Sequence, residues 1–305
     1  MTDQLQRYLF ADHHVRGELV QLDDSFTQIL ATQDYPQPVQ RLLGEMLAAA
    51  TLLTATLKFK GEVSLQIQSE GAIKYAVVDA THDQKVRGVA RYDDSLTDDT
   101  QHDAIPFSDL FIKGVMAITI TPAKGERYQG LVGLTESTLA ACLEDYFTQS
   151  EQLATRVQLL TSTEDATKRA GGLLLQILPE SSAASDATQN HAFNDLAILT
   201  DTMTADELFS LDAKTLLHRL YHEYDVTLYA PHDVVFSCSC SKERSAQALQ
   251  NIDKQELLDI VAEEGCISMD CQYCHAQYQF DAMDIEAIHA GFSQSVSQQD
   301  GDLTQ

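Results

Sequence analysis

Four cysteines carry the most distinctive chemistry in this chain: Cys238 and Cys240 in "FSCSCSKERS", and Cys271 and Cys274 in "MDCQYC". The chain has six cysteines in 305 residues, and these four fall inside one 37-residue window. Two short-spaced thiol pairs separated by a spacer suit tetrahedral zinc, which takes four sulfur ligands at about 2.3 Å. The spacing therefore predicts one Zn2+ per chain on Cys238, Cys240, Cys271 and Cys274. Cys266 lies five residues before Cys271, and His232 and His275 flank the cluster. Four thiolates already fill a tetrahedral site, so these three are expected to be bystanders.

The first pair is spaced C-x-C, tighter than the gaps usual in structural zinc sites. An oxidant that converts one thiolate to a sulfenic acid lets the neighbour in the same pair condense with it, and each condensation removes two ligands. Structural zinc contributes about 10 to 16 kcal/mol of folding free energy in peptides. A segment of roughly sixty residues has little core to replace that. Oxidation is therefore expected to unfold the segment.

The spacer must bring the two pairs together. "SKERSAQALQNIDKQELLDIVAEEG" reads as two short helices, the first carrying Ala246, Leu249 and Ile252. The second is capped by Asp253 and Glu256, carries Leu257, Leu258 and Val261, and stops at Gly265. Upstream, Val39 to Phe59 places Leu42, Leu43, Met46, Leu47, Ala50 and Leu53 at helical spacing, a largely buried helix. From Gly61 to Tyr92, apolar and polar residues alternate on either side of Glu70-Gly71, which predicts a hairpin. Met116, Ile118 and Ile120 repeat the pattern before a turn at Lys124-Gly125.

In "TESTLAACLEDYFTQSEQL", Leu139, Cys142, Leu143 and Tyr146 share a helical stripe, so Cys142 is expected in the core and inert. The run "RAGGLLLQILP" closes the first domain near Pro179. His191 to Tyr229 is helical in pattern, with Thr204 and Glu207 placed as a capping box. Helices this short are marginal alone and must dock on a neighbour. The expectation is an α+β protein in four parts. Residues 1–180 form an antiparallel sheet packed with helices, 181–230 an amphipathic helical linker, 231–290 a small zinc-binding domain, and 291–305 a disordered polar tail.

Composition narrows the partners. Asp and Glu number 46 against 20 Lys and Arg, a formal charge of −26. From Pro231 onward there are 13 acidic and 3 basic residues. Such a field repels phosphate backbones and anionic lipid, so neither nucleic acid nor membrane is an expected partner. The N-terminal residues lack the basic-then-apolar pattern of a secretory signal, and the longest apolar run is too short to span a bilayer. A cytoplasmic setting, with thiols kept reduced, is expected. Two rival readings make specific demands. A thiol-disulfide oxidoreductase using Cys271 and Cys274 needs a thioredoxin-like βαβ context, which is not visible. A zinc-ribbon regulator needs a basic face, and the C-terminal part is acidic.

The motifs "FSCSCSKERSAQAL" and "MDCQYCHAQYQF", with "GEVSLQIQSEGAIKYAVVDA", "VRGVARY", "ERYQGLVGL", "YFTQSEQLATRVQL" and "AGGLLLQILP", resemble over nearly the full length the bacterial redox-regulated heat-shock chaperones of the HslO family. The resemblance implies an ATP-independent holdase rather than an enzyme. The reduced, zinc-bound monomer would be inactive; oxidants under unfolding conditions would convert it to a dimer that binds unfolding client proteins. It also implies that the redox-active cysteines pair as neighbours, Cys238 with Cys240 and Cys271 with Cys274. Cys266 has no counterpart in the family pattern. The absence of a P-loop, dinucleotide fingerprint or hydrolase elbow agrees with a binder that uses no nucleotide.

Overall fold

The computed structural model describes residues 3–96, 105–163, 167–178 and 186–290. The boundary near Pro179 and the tail at 291–305 lie outside the described residues. The chain divides into two compact units, Met1–Ser237 and Cys238–Gln305.

The first unit starts with β1 (Gln4–Phe10) and β2 (Val15–Leu22), followed by α1 (Asp24–Leu30) and α2 (Gln37–Ala55). Then come β3 (Gly61–Gln68), β4 (Ile73–Thr81), β5 (Lys85–Tyr92), β6 (Val115–Pro122) and β7 (Tyr128–Gly133). Helix α3 (Leu139–Tyr146) runs into a π-turn at Phe147–Glu151, and β8 (Thr155–Ser162) and β9 (Arg169–Ile177) follow. The expected hairpins are present, β3 against β4 and β6 against β7.

The α+β class is as expected, but the strands form two six-stranded sheets where one was anticipated. One sheet runs β1-β2-β9-β8. The other runs β5-β4-β3-β6-β7. Helix α2 lies between them, packing on strands of both. That position explains the run from Met46 to Ala55, buried at every residue, while Gln37, Arg41 and Glu45 mark a half-buried polar stripe on the first turns. Gly44 sits at the closest approach, where a Cβ would come within 2.7 Å of the Thr161 side chain and 2.9 Å of Phe26. The helix ends at Ala55 rather than Phe59, and Lys58 to Lys60 are exposed.

Helices α4 (Asp186–Asp201), α5 (Ala205–Ser210) and α6 (Ala213–Tyr221) cover the other face of the first sheet. Phe193, Leu196, Leu208, Leu216 and Leu217 pack there with Tyr8, Phe10, Leu19, Leu173 and Leu175. The Thr204–Glu207 capping box forms as expected. Helical structure stops at Tyr221. Thr227–Leu228 (β10) and His232–Asp233 (β11) pair with β1, so part of the expected helical stretch is strand. Val235–Phe236 (β12) pairs parallel with β5, an exception to the antiparallel rule expected for this domain. Among the described residues no helix is long and apolar enough to cross a membrane.

The second unit holds α7 (Lys242–Leu249), α8 (Lys254–Glu264), the hairpin β13 (Ile267–Asp270) and β14 (Gln277–Phe280), and α9 (Ala282–His289). Its core is small: Ala246, Leu249, Leu257, Val261, Phe280, Ile285 and Ile288. Asp253 caps α8 and Gly265 ends it, as expected. Ile252 lies beyond α7 and is exposed, so it does not extend the buried stripe.

Candidate metal centre

Two local structures present the four thiols. Cys238 and Cys240 lie on the extended segment leading into α7, where Ser241 caps the helix by accepting from the Arg244 amide. The Arg244 guanidinium turns back to donate to the Ser239 carbonyl and hydroxyl at 2.9 and 2.6 Å, which bends the C-x-C segment around one residue. Cys271 and Cys274 occupy the turn joining β13 to β14. There the Cys271 amide donates to Ala276 and the His275 amide donates back to Cys271, with His275 itself at φ 56°. The turn directs both sulfurs to one side.

All four Sγ atoms lie within 4.8 Å of one another. Cys238 and Cys271 approach to 3.6 Å, and Cys240 and Cys274 to 3.3 Å. A regular tetrahedron of bonds of about 2.3 Å has an edge of about 3.8 Å, so the cluster fits a thiolate-bound zinc ion in donor type and dimensions. Among the described residues this is the one group of three or more Cys, His, Asp or Glu able to hold a metal ion. Cys266, just before β13, is half-buried and outside the group, and so is the His275 ring. His232 belongs to β11 of the first unit.

The electrostatics of the cluster suit a cation. Burial, with hydrogen bonds from neighbouring thiols, raises Cys238 and pushes Cys274 up to about 12. Burial also works against ionising Cys240, yet hydrogen bonds from Tyr278 and the other three thiols bring it down to about 7. Without an ion the neighbouring thiols thus pull in opposite directions, Cys240 toward the thiolate and Cys238 and Cys274 toward the thiol. A divalent cation removes that conflict by neutralising the crowded charge. The Tyr278 hydroxyl donates to Cys240 Sγ at 3.1 Å, an outer partner that holds one ligand in place. Tyr278 carries no spacing signal, and only the hairpin register, Met269 opposite Tyr278, brings it to the sulfurs.

Cys142 is buried in the main core on α3, as expected, and burial raises its thiol above the ordinary value. Close sulfur contacts, at 3.6 and 3.3 Å, run between the two pairs. The reduced geometry therefore does not by itself select the neighbour pairing that the resemblance implies.

The chain matches the family model described as Hsp33 protein over residues 3–281. It is 56% identical over 291 residues to a protein of Pseudoalteromonas atlantica named 33 kDa chaperonin, covering 95% of this chain and 96% of that one. A Shewanella sediminis protein of the same name is 51% identical over 286 residues, covering 94% and 95%. In fold, the chain is similar to the crystal structure of the 33 kDa chaperonin (HSP33) of Thermotoga maritima. The TM-score is 0.80 at 21% identity, over 95% of this chain and 98% of that one. A family match across nine-tenths of its length, with relatives sharing half their residues, places the chain in the Hsp33 family.

Proposed function

We propose that this protein is a molecular chaperone acting as an ATP-independent holdase, switched on by oxidation of the cysteine cluster. It is a binder and not an enzyme. The observation that carries the reading is four sulfurs converging in a unit whose core is seven buried side chains, six of them large. So small a core depends on a cross-link. Zinc held by Cys238, Cys240, Cys271 and Cys274 supplies that cross-link and keeps all four sulfurs as thiolates.

Peroxide takes two electrons from each pair of thiolates, forming the S–S bond, and with two protons from solvent its oxygens leave as two waters. Two disulfides consume all four ligands, so the ion departs and the second unit unfolds. The pairing proposed is Cys238 with Cys240 and Cys271 with Cys274. Loss of that order loosens α4 to α6, and the apolar sheet face beneath them becomes available to unfolding clients and to a second chain. The reduced protein is then an inactive monomer and the oxidised one an active dimer. The acidic surface and reduced thiols suit the cytoplasm, with neither nucleic acid nor membrane as partner.

The test is light scattering from a client that unfolds on heating, with no nucleotide present. Peroxide-treated protein is expected to suppress scattering at stoichiometric amounts, and the reduced, metal-loaded protein to leave it unchanged. A protein idle in both states overturns the chaperone reading, and one equally active in both overturns the switch.

A further inference from the structure

A cavity of about 280 Å³ in the first unit lies between β1, the segment after α2, the β4–β5 turn and β11. Arg7, Lys58, Lys60, His82 and His232 all line it, and among the described residues no carboxylate does. In a chain with 46 Asp and Glu against 20 Lys and Arg, convergence of three Lys or Arg side chains and two His without an acid runs against composition. None of the five makes an ion pair among the described residues; Arg7 lies over the Tyr229 ring at 5.8 Å. Two acids lie near the cavity without lining it. Asp83 pairs with Lys85 at 2.8 Å. Glu18, opposite Arg7 on β2, is fully buried, and burial pushes its carboxyl up to about 7 against the pull of Arg16 and Arg7.

Gln84 adds an independent observation. It lines the same cavity, is only 4% exposed, and its Oε1 has no hydrogen-bond partner. A buried acceptor left unpaired costs free energy unless a donor reaches it. We propose that this cavity is a binding site for a phosphoryl oxyanion that also carries a hydroxyl, the basic groups meeting the charge and Gln84 accepting from the hydroxyl. Hydrogen phosphate has both features. The volume is just below the range of about 300 to 1,000 Å³ typical of drug-sized ligands, which favours a small ion or ester over a nucleotide. The plain alternative is that the cations merely offset the carbonyl end of α2, which attracts positive charge. That alternative gives no anion binding.

The test is calorimetric titration of the full-length, reduced, metal-loaded protein at pH 7 with inorganic phosphate, sulfate and glycerol 3-phosphate, at ionic strength held constant with sodium chloride. One saturable phosphate site per chain is expected, with sulfate, which has no proton to donate, at least tenfold weaker. Glycerol 3-phosphate binding as tightly as phosphate assigns the site to an ester, and weaker binding assigns it to the free ion. The exposed pair Lys60→Gln/His232→Gln should weaken phosphate at least tenfold with unfolding temperature unchanged. Gln84→Met, of similar volume, should abolish the preference over sulfate. Absence of saturable phosphate or glycerol phosphate binding below about 10 mM overturns the proposal, a limit equal to about −2.7 kcal/mol. So does affinity unaltered by Lys60→Gln/His232→Gln.

Discussion

Replacing Leu196 by alanine deletes three carbons from the middle of the interface between α4 and the first sheet. The side chain is fully buried among Phe10, Leu173, Leu175 and Tyr221 in the outer apolar cluster. Truncation of such a leucine costs about 2 to 5 kcal/mol, the spread reflecting how far neighbours close the cavity. At 1.4 kcal/mol per factor of ten, the undocked population of α4 rises roughly 30-fold to several-thousand-fold. The core around α2 is a separate cluster, and so is that of the second unit, so both should stay folded with metal bound and four thiols reduced. Ile198 on the same helix is 63% exposed, and Ile198→Ala serves as the control with no effect expected.

Hydrogen exchange should show lost protection confined to 192–221. Hydrophobic-dye binding should rise, and scattering from an unfolding client should fall partway without any oxidant. If Leu196→Ala retains wild-type exchange and dye binding, the helices are not a reversible cover. If exchange rises but clients are still ignored, the covered face is not where they bind.

Cys238→Ser and Cys271→Ser should each lose the metal while Cys266→Ser retains it; full stoichiometry in the first two would move the site to other donors. Tyr278→Phe keeps the ring but removes the hydroxyl held 3.1 Å from Cys240 Sγ, and metal affinity in a chelator competition should fall about 10- to 100-fold. Thiol labelling of native reduced protein should miss Cys142, fully buried on α3; rapid labelling without denaturant would show that the helix opens. Glu18 is raised by burial to about 7, so folding favours its protonated form. Its ionisation therefore lowers stability as pH climbs from the unfolded value near 4.5 through 7. Glu18→Gln should raise the unfolding temperature at pH 8 and leave it unchanged near pH 4, and an equal gain at both would assign the effect to packing.

The elements with one wet face were legible in the chain because their periodicity records that asymmetry. Alternation in Val63, Leu65 and Ile67, and in Met116 and Ile118, locates β3 and β6. Stripes and caps locate α3, α5 and α8. The α4–α6 region was readable as helices that must dock, since their stripes are too short to be stable alone. Strand β9 was not readable as a strand. Leu173 and Leu175 face the outer cluster and Leu174 faces α2, so burial on both sides turns "GLLLQI" into a continuous apolar run. The division into two sheets was hidden for a related reason, because α2 serves both and carries no sign of which face meets which.

At the candidate metal centre, residue type and spacing alone pointed to the four cysteines whose sulfurs converge, since C-x-C and C-x2-C pairs suit a tetrahedral ion. The Tyr278 hydroxyl on Cys240 and the Arg244 brace on Ser239 came only with the folded chain, because hairpin register and turn direction decide them. The basic cavity belongs to the same class. Its lining comes from residues 5 to 232, segments far apart along the chain. Only the tertiary structure, by pairing β11 with β1 beside the end of α2, sets the five basic side chains around one space.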